Sequence, residues 1–225
     1  MPKSQLYPIF LSLKNAACLI AGFGSVGKRK LAGLLPCSPR SIAIFDPDEA
    51  RKPDAAPNIF FYNRPCSQDD LKKSSLVFAC ANDEGENAKI VEICEELGIL
   101  CDSAASPNRG SFIVPAVARE EDLTIAVSSS GASPALVRKW KGELETWLKP
   151  RSRMARLMKE LRPLIISAVS NQRDRKEIFY KLVDSKLPDL LENDDAAARL
   201  RALNFLGSFL PFLNRECLAK IIERA

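Results

Sequence analysis

Short apolar runs alternate with helical stripes through the first half of the chain. Residues 16–21, Ala-Ala-Cys-Leu-Ile-Ala, form an unbroken run of the kind expected from a strand buried on both faces. Gly22-Phe23-Gly24-Ser25-Val26-Gly27 follows at once, and Val26, Leu31, Leu34 and Leu35 then share a helical stripe that Pro36 and Pro39 stop. Ser41–Phe45, Ile59–Tyr62 and Leu76–Ala81 read as three further strands. Ile90, Val91, Cys94 and Leu97 lie on one face of a helix starting near Asn87, with Gly98 just past its end, and Ile99-Leu100-Cys101 opens a fifth strand. This alternation predicts an α/β fold, a Rossmann-like and mostly parallel sheet with helices on both faces.

After Pro107 the rhythm changes. Ser111–Val114 and Leu123–Val127 read as strands, and Ser128-Ser129-Ser130-Gly131-Ala132 as a tight polar turn. Ser133-Pro134 has the form of an N-cap with proline at the first helical position, and the helix it starts is expected to end near Leu148, before Pro150. Residues 151–225 read as helical, with breaks near Pro163, Pro188 and Pro211. The expected organisation is a Rossmann-like domain over 1–113, a small α+β segment over 114–150 and a helical domain over 151–225.

Gly22, Gly24 and Gly27 fit Gly-x-Gly-x-x-Gly between a strand and a helix. The first glycine permits a tight turn, the second lets backbone approach a pyrophosphate, and the third lets helix and strand pack closely, with the helix N-terminus facing the anion. Asp46 ends the second strand 19 residues beyond Gly27, where a carboxylate can accept a ribose hydroxyl. A carboxylate there repels a 2′-phosphate, which favours NAD over NADP. The competing reading leaves the glycines to a plain turn and Asp46 to a loop before Pro47.

The 225 residues are 46% hydrophobic, enough for a real core, which excludes an intrinsically disordered chain. No apolar stretch is long enough to span a bilayer, and the N-terminus lacks a signal peptide's pattern, so a cytoplasmic protein without membrane contact is expected. There is no histidine, which removes Ser-His-Asp and Cys-His catalysis and histidine metal sites. Seven scattered cysteines, none in a Cys-x-x-Cys pair, read as reduced and mostly buried thiols, and no metal is expected. Of the net charge of +5, a block from Arg138 to Arg162 carries nine basic residues against Glu143, Glu145 and Glu160. Such a block is a solvated helix face, a nucleic-acid patch or a site for a polyanionic small molecule. Trp140 and Trp147 are its only aromatics, and no helix-turn-helix or zinc-finger spacing accompanies it, so nucleic acid is not an expected partner.

A longer series of residues carries a resemblance. Tyr7-Pro8-Ile9-Phe10-Leu11-x-Leu13, Gly22-x-Gly24-x-Val26-x-x-Arg29-Lys30, Ala79-x-x-Asn82-Asp83 with Asn87, Ser111-Phe112-Ile113-x-Pro115-Ala116, and Ile125-Ala126-Val127-Ser128-Ser129-x-Gly131-Ala132-Ser133-Pro134 occur in order over residues 5–145. The chain resembles the precorrin-2 dehydrogenase family, also found as the N-terminal part of siroheme synthases. The resemblance implies NAD-dependent oxidation of precorrin-2 to sirohydrochlorin by a homodimer whose interface is built by the segment after the Rossmann-like domain, residues 114–150. Implied cofactor contacts are Ser25 and Val26 at the glycine cradle and Asp46 and Pro47 after the second strand. Ser129, with Ser128 beside it, is implied near the tetrapyrrole pocket, although the serines also read as a plain turn feeding a helix. Because precorrin-2 is ringed by carboxylates, the basic block gains a reason, with Arg138 and Lys139 as its expected contributors.

One position departs from the family. Its catalytic aspartate corresponds to Ala105 here, and the nearby Asp102 lies three residues away, on the opposite face of an extended chain. Hydride transfer then needs no protein base, or Asp102 reaches the pocket through a bend, or the chain binds without catalysing. The same loss predicts weak or absent sirohydrochlorin ferrochelatase activity. The alternatives to a dehydrogenase are thus a non-catalytic NAD- or tetrapyrrole-binding regulator and a bifunctional dehydrogenase–chelatase.

Overall fold

Five of the apolar runs pair into one sheet. The computed structural model, which describes residues 6–104, 109–192 and 195–224, sets β1 (Ala17–Ala21), β2 (Ser41–Phe45), β3 (Ile59–Tyr62), β4 (Leu76–Ala79) and β5 (Leu100–Ser103) in the order β3-β2-β1-β4-β5. All of its pairings are parallel. All five residues of β1 are buried, so its sequence shows no polar alternation: a central strand covered on both faces has no solvent side. Helices α1 (Ser25–Leu34), α2 (Gln68–Lys72) and α3 (Glu84–Glu96) make the crossovers. Cys18, Ile20, Ile42, Ile44 and Phe78 face Leu31 and Leu34 of α1, whereas Leu19, Ala21, Val77 and Ala79 face Ile90, Val91 and Cys94 of α3. Each large side chain buried this way contributes about 1.5–3 kcal/mol. The chain passes from β1 to β2 on one side and reaches β4 on the other, so the strand order reverses at the carboxyl end of β1, where open α/β sheets bind ligands.

The stretch Ser111–Val114, expected as a strand, is not one. Ser111 donates its N–H to the Cys101 carbonyl at 2.8 Å and accepts the Cys101 N–H on its hydroxyl at 2.8 Å, so a side chain takes the place of a ladder partner. Phe112 then packs edge-on against Phe78, with ring centroids 5.8 Å apart.

The chain divides into two compact units, one ending at Val114 and the other beginning at Pro115. The second opens with an antiparallel hairpin, β6 (Ala116–Glu120) and β7 (Leu123–Val127), turning at Glu121, whose φ is 50°. Helix α4 (Pro134–Ala168) follows. It does not end before Pro150: it continues for 35 residues with Pro150 and Pro163 inside it. An interior proline costs about 3 kcal/mol, but Leu148, Ser152, Leu157, Leu161 and Ile165 form a buried face that spans both prolines and offsets that cost. Leu157, Leu161 and Ile165 join Leu182, Leu187, Leu206, Leu218 and Ile222 in a helical core completed by α5 (Gln172–Val183), α6 (Leu187–Glu192), α7 (Ala196–Phe209) and α8 (Arg215–Arg224). Pro188 lies in the first turn of α6 and Pro211 follows α7, as expected of breaks.

The seven cysteines are thiols. Burial pushes the thiols of Cys18, Cys66 and Cys80 up to about 11, so they stay protonated at neutral pH. Among the described residues no helix is long and apolar enough to cross a membrane.

Candidate functional site

The glycine segment occupies the reversal point of the sheet. Gly22 leaves β1 with φ +89°, and a Cβ there would lie 2.5 Å from the Cys80 carbonyl oxygen and 2.6 Å from the Ala81 nitrogen, so the turn runs against the end of β4. Gly27 is tight for a different reason: a Cβ would strike the Gly22 carbonyl oxygen and come within 3.3 Å of Ile20 Cγ2, which presses α1 onto β1. Between them Gly24 is open. A Cβ there would meet nothing nearer than Arg51 Nη1 and Asn82 Oδ1, each at 3.9 Å. Gly24 is also the N-cap of α1 and supplies no side-chain acceptor, and no acidic residue stands in the first turn. The N–H groups of Ser25 and Val26 begin a ten-residue helix, where the backbone presents partial positive charge. Space at Gly24 and an uncapped helix start together fit a dinucleotide's pyrophosphate.

Asp46 closes this loop from behind. Its side chain is 2% exposed; Oδ2 accepts the Phe23 N–H at 2.6 Å and Oδ1 the Asp48 N–H at 2.8 Å. Arg51 Nη1 also donates to Oδ2 at 3.2 Å, while Arg51 Nε pairs with Asp48 at 3.1 Å. Burial alone raises the Asp46 carboxyl, but the two backbone donors and the Arg51 charge outweigh it and hold the group below the usual carboxylate range. The carboxylate expected to receive a ribose hydroxyl is thus already the anchor of the glycine loop, with only part of Oδ1's accepting capacity left. Pro47 follows it, and its carbonyl accepts from Asn63 at 2.9 Å.

Two residues whose part the sequence pattern left unread support the site. Arg51 lies in a short 3-10 turn after β2, without periodicity to mark it. Asn87 is 2% exposed and clamps Ala81 from both sides, accepting its N–H at 2.9 Å and donating to its carbonyl at 2.8 Å. It fixes the backbone against which Gly22 packs. Asn87→Ala should therefore cost about 2–3 kcal/mol, because it leaves a buried donor and acceptor unmet; urea denaturation with an unchanged m-value is the measurement.

Asp102 is buried in β5, with Oδ2 2.6 Å from the Lys30 ammonium of α1, and Lys30 in turn lies over the Phe78 ring, 5.6 Å from its centroid. Ala105 lies outside the described residues. Among the described residues no group of three cysteine, aspartate or glutamate side chains is arranged to hold a metal ion.

In the second unit Ser128 Oγ accepts the Ser130 N–H and Ser129 Oγ the Ser133 N–H, both at 3.0 Å. Ser130 and Gly131 both have positive φ, 50° and 84°. The serine oxygens thus build the turn before α4, and their hydroxyl protons remain available to a ligand. Ser133 caps α4 by accepting from Leu136 N at 3.3 Å.

Much of the basic block is internally neutralised. Glu121 binds the Arg156 guanidinium through both carboxylate oxygens, and Asp122 binds Lys159 at 2.9 Å, which ties the hairpin turn to α4. Lys141 pairs with Glu145 at 2.6 Å and Arg151 with Glu192 at 3.4 Å. Lys139 is 3.8 Å from Glu143 and mostly exposed. Among the described residues Arg138, Lys149 and Arg162 have no carboxylate partner within 4.0 Å. The nine cations are therefore no uniform anion-binding face.

The chain is similar to known proteins over most of its length. Residues 9–116 match a family described as "Putative NAD(P)-binding", and residues 152–204 match the "Sirohaem synthase dimerisation region". Siroheme synthases of Escherichia coli O1:K1 and Escherichia fergusonii are each 30% identical over 196 residues, 85% of this chain. The match spans 43% of the length of those relatives. A solved structure of SirC, precorrin-2 dehydrogenase, shares the fold, with a TM-score of 0.73 over 90% of this chain and all of that one, at 22% identity. With its NAD(P)-binding and sirohaem synthase dimerisation regions both matched, the chain belongs to the siroheme synthase family.

Proposed function

We propose that the chain catalyses the NAD-dependent dehydrogenation of precorrin-2 to sirohydrochlorin, as a homodimer in the cytoplasm. The observation that carries this reading is the open Gly24 position at an uncapped helix start, anchored by Asp46 at the reversal point of the sheet. In this reading the Ser25 and Val26 N–H groups, with Gly22, Gly24 and Gly27 giving the backbone its path, bind the pyrophosphate, and the Asp46–Pro47 corner receives the adenosine ribose. NAD is favoured over NADP because Asp46 and Asp48 outnumber Arg51, whose guanidinium is already paired to both, so an added phosphate meets net negative charge. The bound dinucleotide supplies the hydride acceptor.

The substrate's carboxylates are met by Arg138 and Lys139 at the start of α4, and the free hydroxyl protons of Ser128 and Ser129 add hydrogen bonds that orient the macrocycle. Asp102 already neutralises Lys30, so we assign the proton lost in the oxidation to solvent and Asp102 to the fold.

Incubation of the protein with precorrin-2 and NAD tests this. One NADH is expected per sirohydrochlorin formed, and Ser129→Ala and Arg138→Gln should each lower kcat/KM about tenfold or more. Binding of NAD with no NADH formed would instead support the regulator, as would duplex-DNA affinity that falls steeply with salt.

A further inference from the structure

The helical unit holds a groove lined by none of the residues assigned above to cofactor or substrate. The C-terminal part of α4 and the helix α5 enclose an open groove of about 500 Å³. Its floor is aromatic and aliphatic, from Phe179, Tyr180 and Ile166, and its cations are Arg162, Arg175 and Lys176. Arg162 lies over the Phe179 ring at 5.4 Å and Lys176 over the Tyr180 ring at 5.8 Å, so both heads are drawn onto the floor rather than outward. Among the described residues none of the three has a carboxylate within 4.0 Å, no carboxylate lines the groove, and Glu177 of the same helix is taken by Lys181 at 2.7 Å. Among the described residues Arg175 donates to the Ser170 carbonyl at 3.4 Å, and its buried Nε finds no acceptor. A buried donor left unmet is destabilising, and an incoming anion would remove that cost.

Three unneutralised cations, two of them over flat rings, select a particular chemistry. We propose that this groove binds a planar ring compound carrying several anionic groups, its ring stacked on Tyr180 and Phe179 and its anions held by Arg162, Arg175 and Lys176. Either carboxylates on a macrocycle or phosphates on a nucleotide supply such anions. The groove lies within the stretch that matches the sirohaem synthase dimerisation region, so a second copy of this chain is the competing occupant, but a twofold contact of the groove with itself would bring six cations together.

The test is equilibrium dialysis of the full chain with uroporphyrin III, and separately with ATP. The parent should bind uroporphyrin at a site that the Arg162→Gln, Arg175→Gln double substitution weakens about tenfold or more, while dehydrogenation of precorrin-2 is unchanged. Lys176→Gln, at an exposed position, should give a smaller loss in the same direction. ATP displacing uroporphyrin from that site identifies phosphate as an accepted anion, and failure to displace it identifies the carboxylated macrocycle; either supports the site. Affinities unchanged by the substitutions overturn it. So does a shift of the variant's sedimentation toward a smaller species, because the groove would then be a subunit contact. If the chain proves unable to oxidise precorrin-2 but this binding and its loss persist, the proposed reaction fails and the groove stands.

Discussion

Gly22→Ala is expected to destabilise the chain by about 3 kcal/mol and to abolish NAD binding, whereas Gly24→Ala should leave the melting temperature nearly unchanged yet lower NAD affinity at least about tenfold. The two glycines sit two residues apart and differ in what surrounds them. At Gly22 an L-residue meets φ +89°, a left-handed conformation that costs about 1–2 kcal/mol. Its Cβ also lies 2.5 Å from the Cys80 carbonyl oxygen and 2.6 Å from the Ala81 nitrogen. These are backbone atoms, and Ala81 is clamped by Asn87, so relief requires moving the end of β4, with about 1–3 kcal/mol of overpacking added. At Gly24 a Cβ has 3.9 Å of clearance and φ is −72°, so the fold accepts alanine. Only a ligand lying against the loop would meet that methyl. Thermal denaturation and NAD calorimetry on both variants separate the two effects, and a Gly24→Ala chain that binds NAD like the parent would remove the cradle from the site.

How much of this was legible beforehand follows the range of the interactions. The parallel sheet could be read because each buried strand is a continuous apolar run, and the glycine elbow because three glycines at fixed spacing join a strand to a helix. The hairpin was half legible. β7 shows as an apolar run, but β6 contains Arg119 and Glu120 and is less strand-like in sequence than the more apolar Ser111–Val114, which is held by the Ser111 hydroxyl instead of a ladder. The continuation of α4 past Pro150 is not legible locally, because local rules weigh the missing N–H and cannot weigh a buried face extending to Ile165. The site's supports were least legible. Asn87 stood in a recognisable series, yet its clamp on Ala81 depends on a chain reversal six residues long, and Arg51 lies in a turn with no periodic signature. The charge excess of the basic block was visible, but its neutralisation by Glu121, Asp122 and Glu192 is made by contacts distant in sequence.

Asp46→Ala should be nearly as damaging as Gly22→Ala, and its effect should depend on pH in a direction the geometry fixes. The substitution removes the acceptor of the buried Phe23 N–H, that of the Asp48 N–H, and one of the two carboxylates that position Arg51. Hydrogen bonds to a charged acceptor contribute about 1.5–3 kcal/mol each, and because the three share one carboxylate the expected loss is about 3 kcal/mol rather than their sum. Asp46→Asn should recover little, since its single carbonyl oxygen can face only one of the two backbone donors and its NH₂ opposes the other. In the parent the folded carboxyl is held below its unfolded value, near about 4 for an aspartate. The native state therefore binds fewer protons than the unfolded chain in the interval between the two, and stability rises with pH there. The parent's advantage over Asp46→Asn should be complete above the unfolded value and shrink as pH falls through the lowered folded one. Urea denaturation of both proteins from neutral pH into the acid range measures this gap. A gap that stayed constant would mean that the charge on Asp46 is not what holds the loop, and NAD affinity would then have to be explained without that anchor.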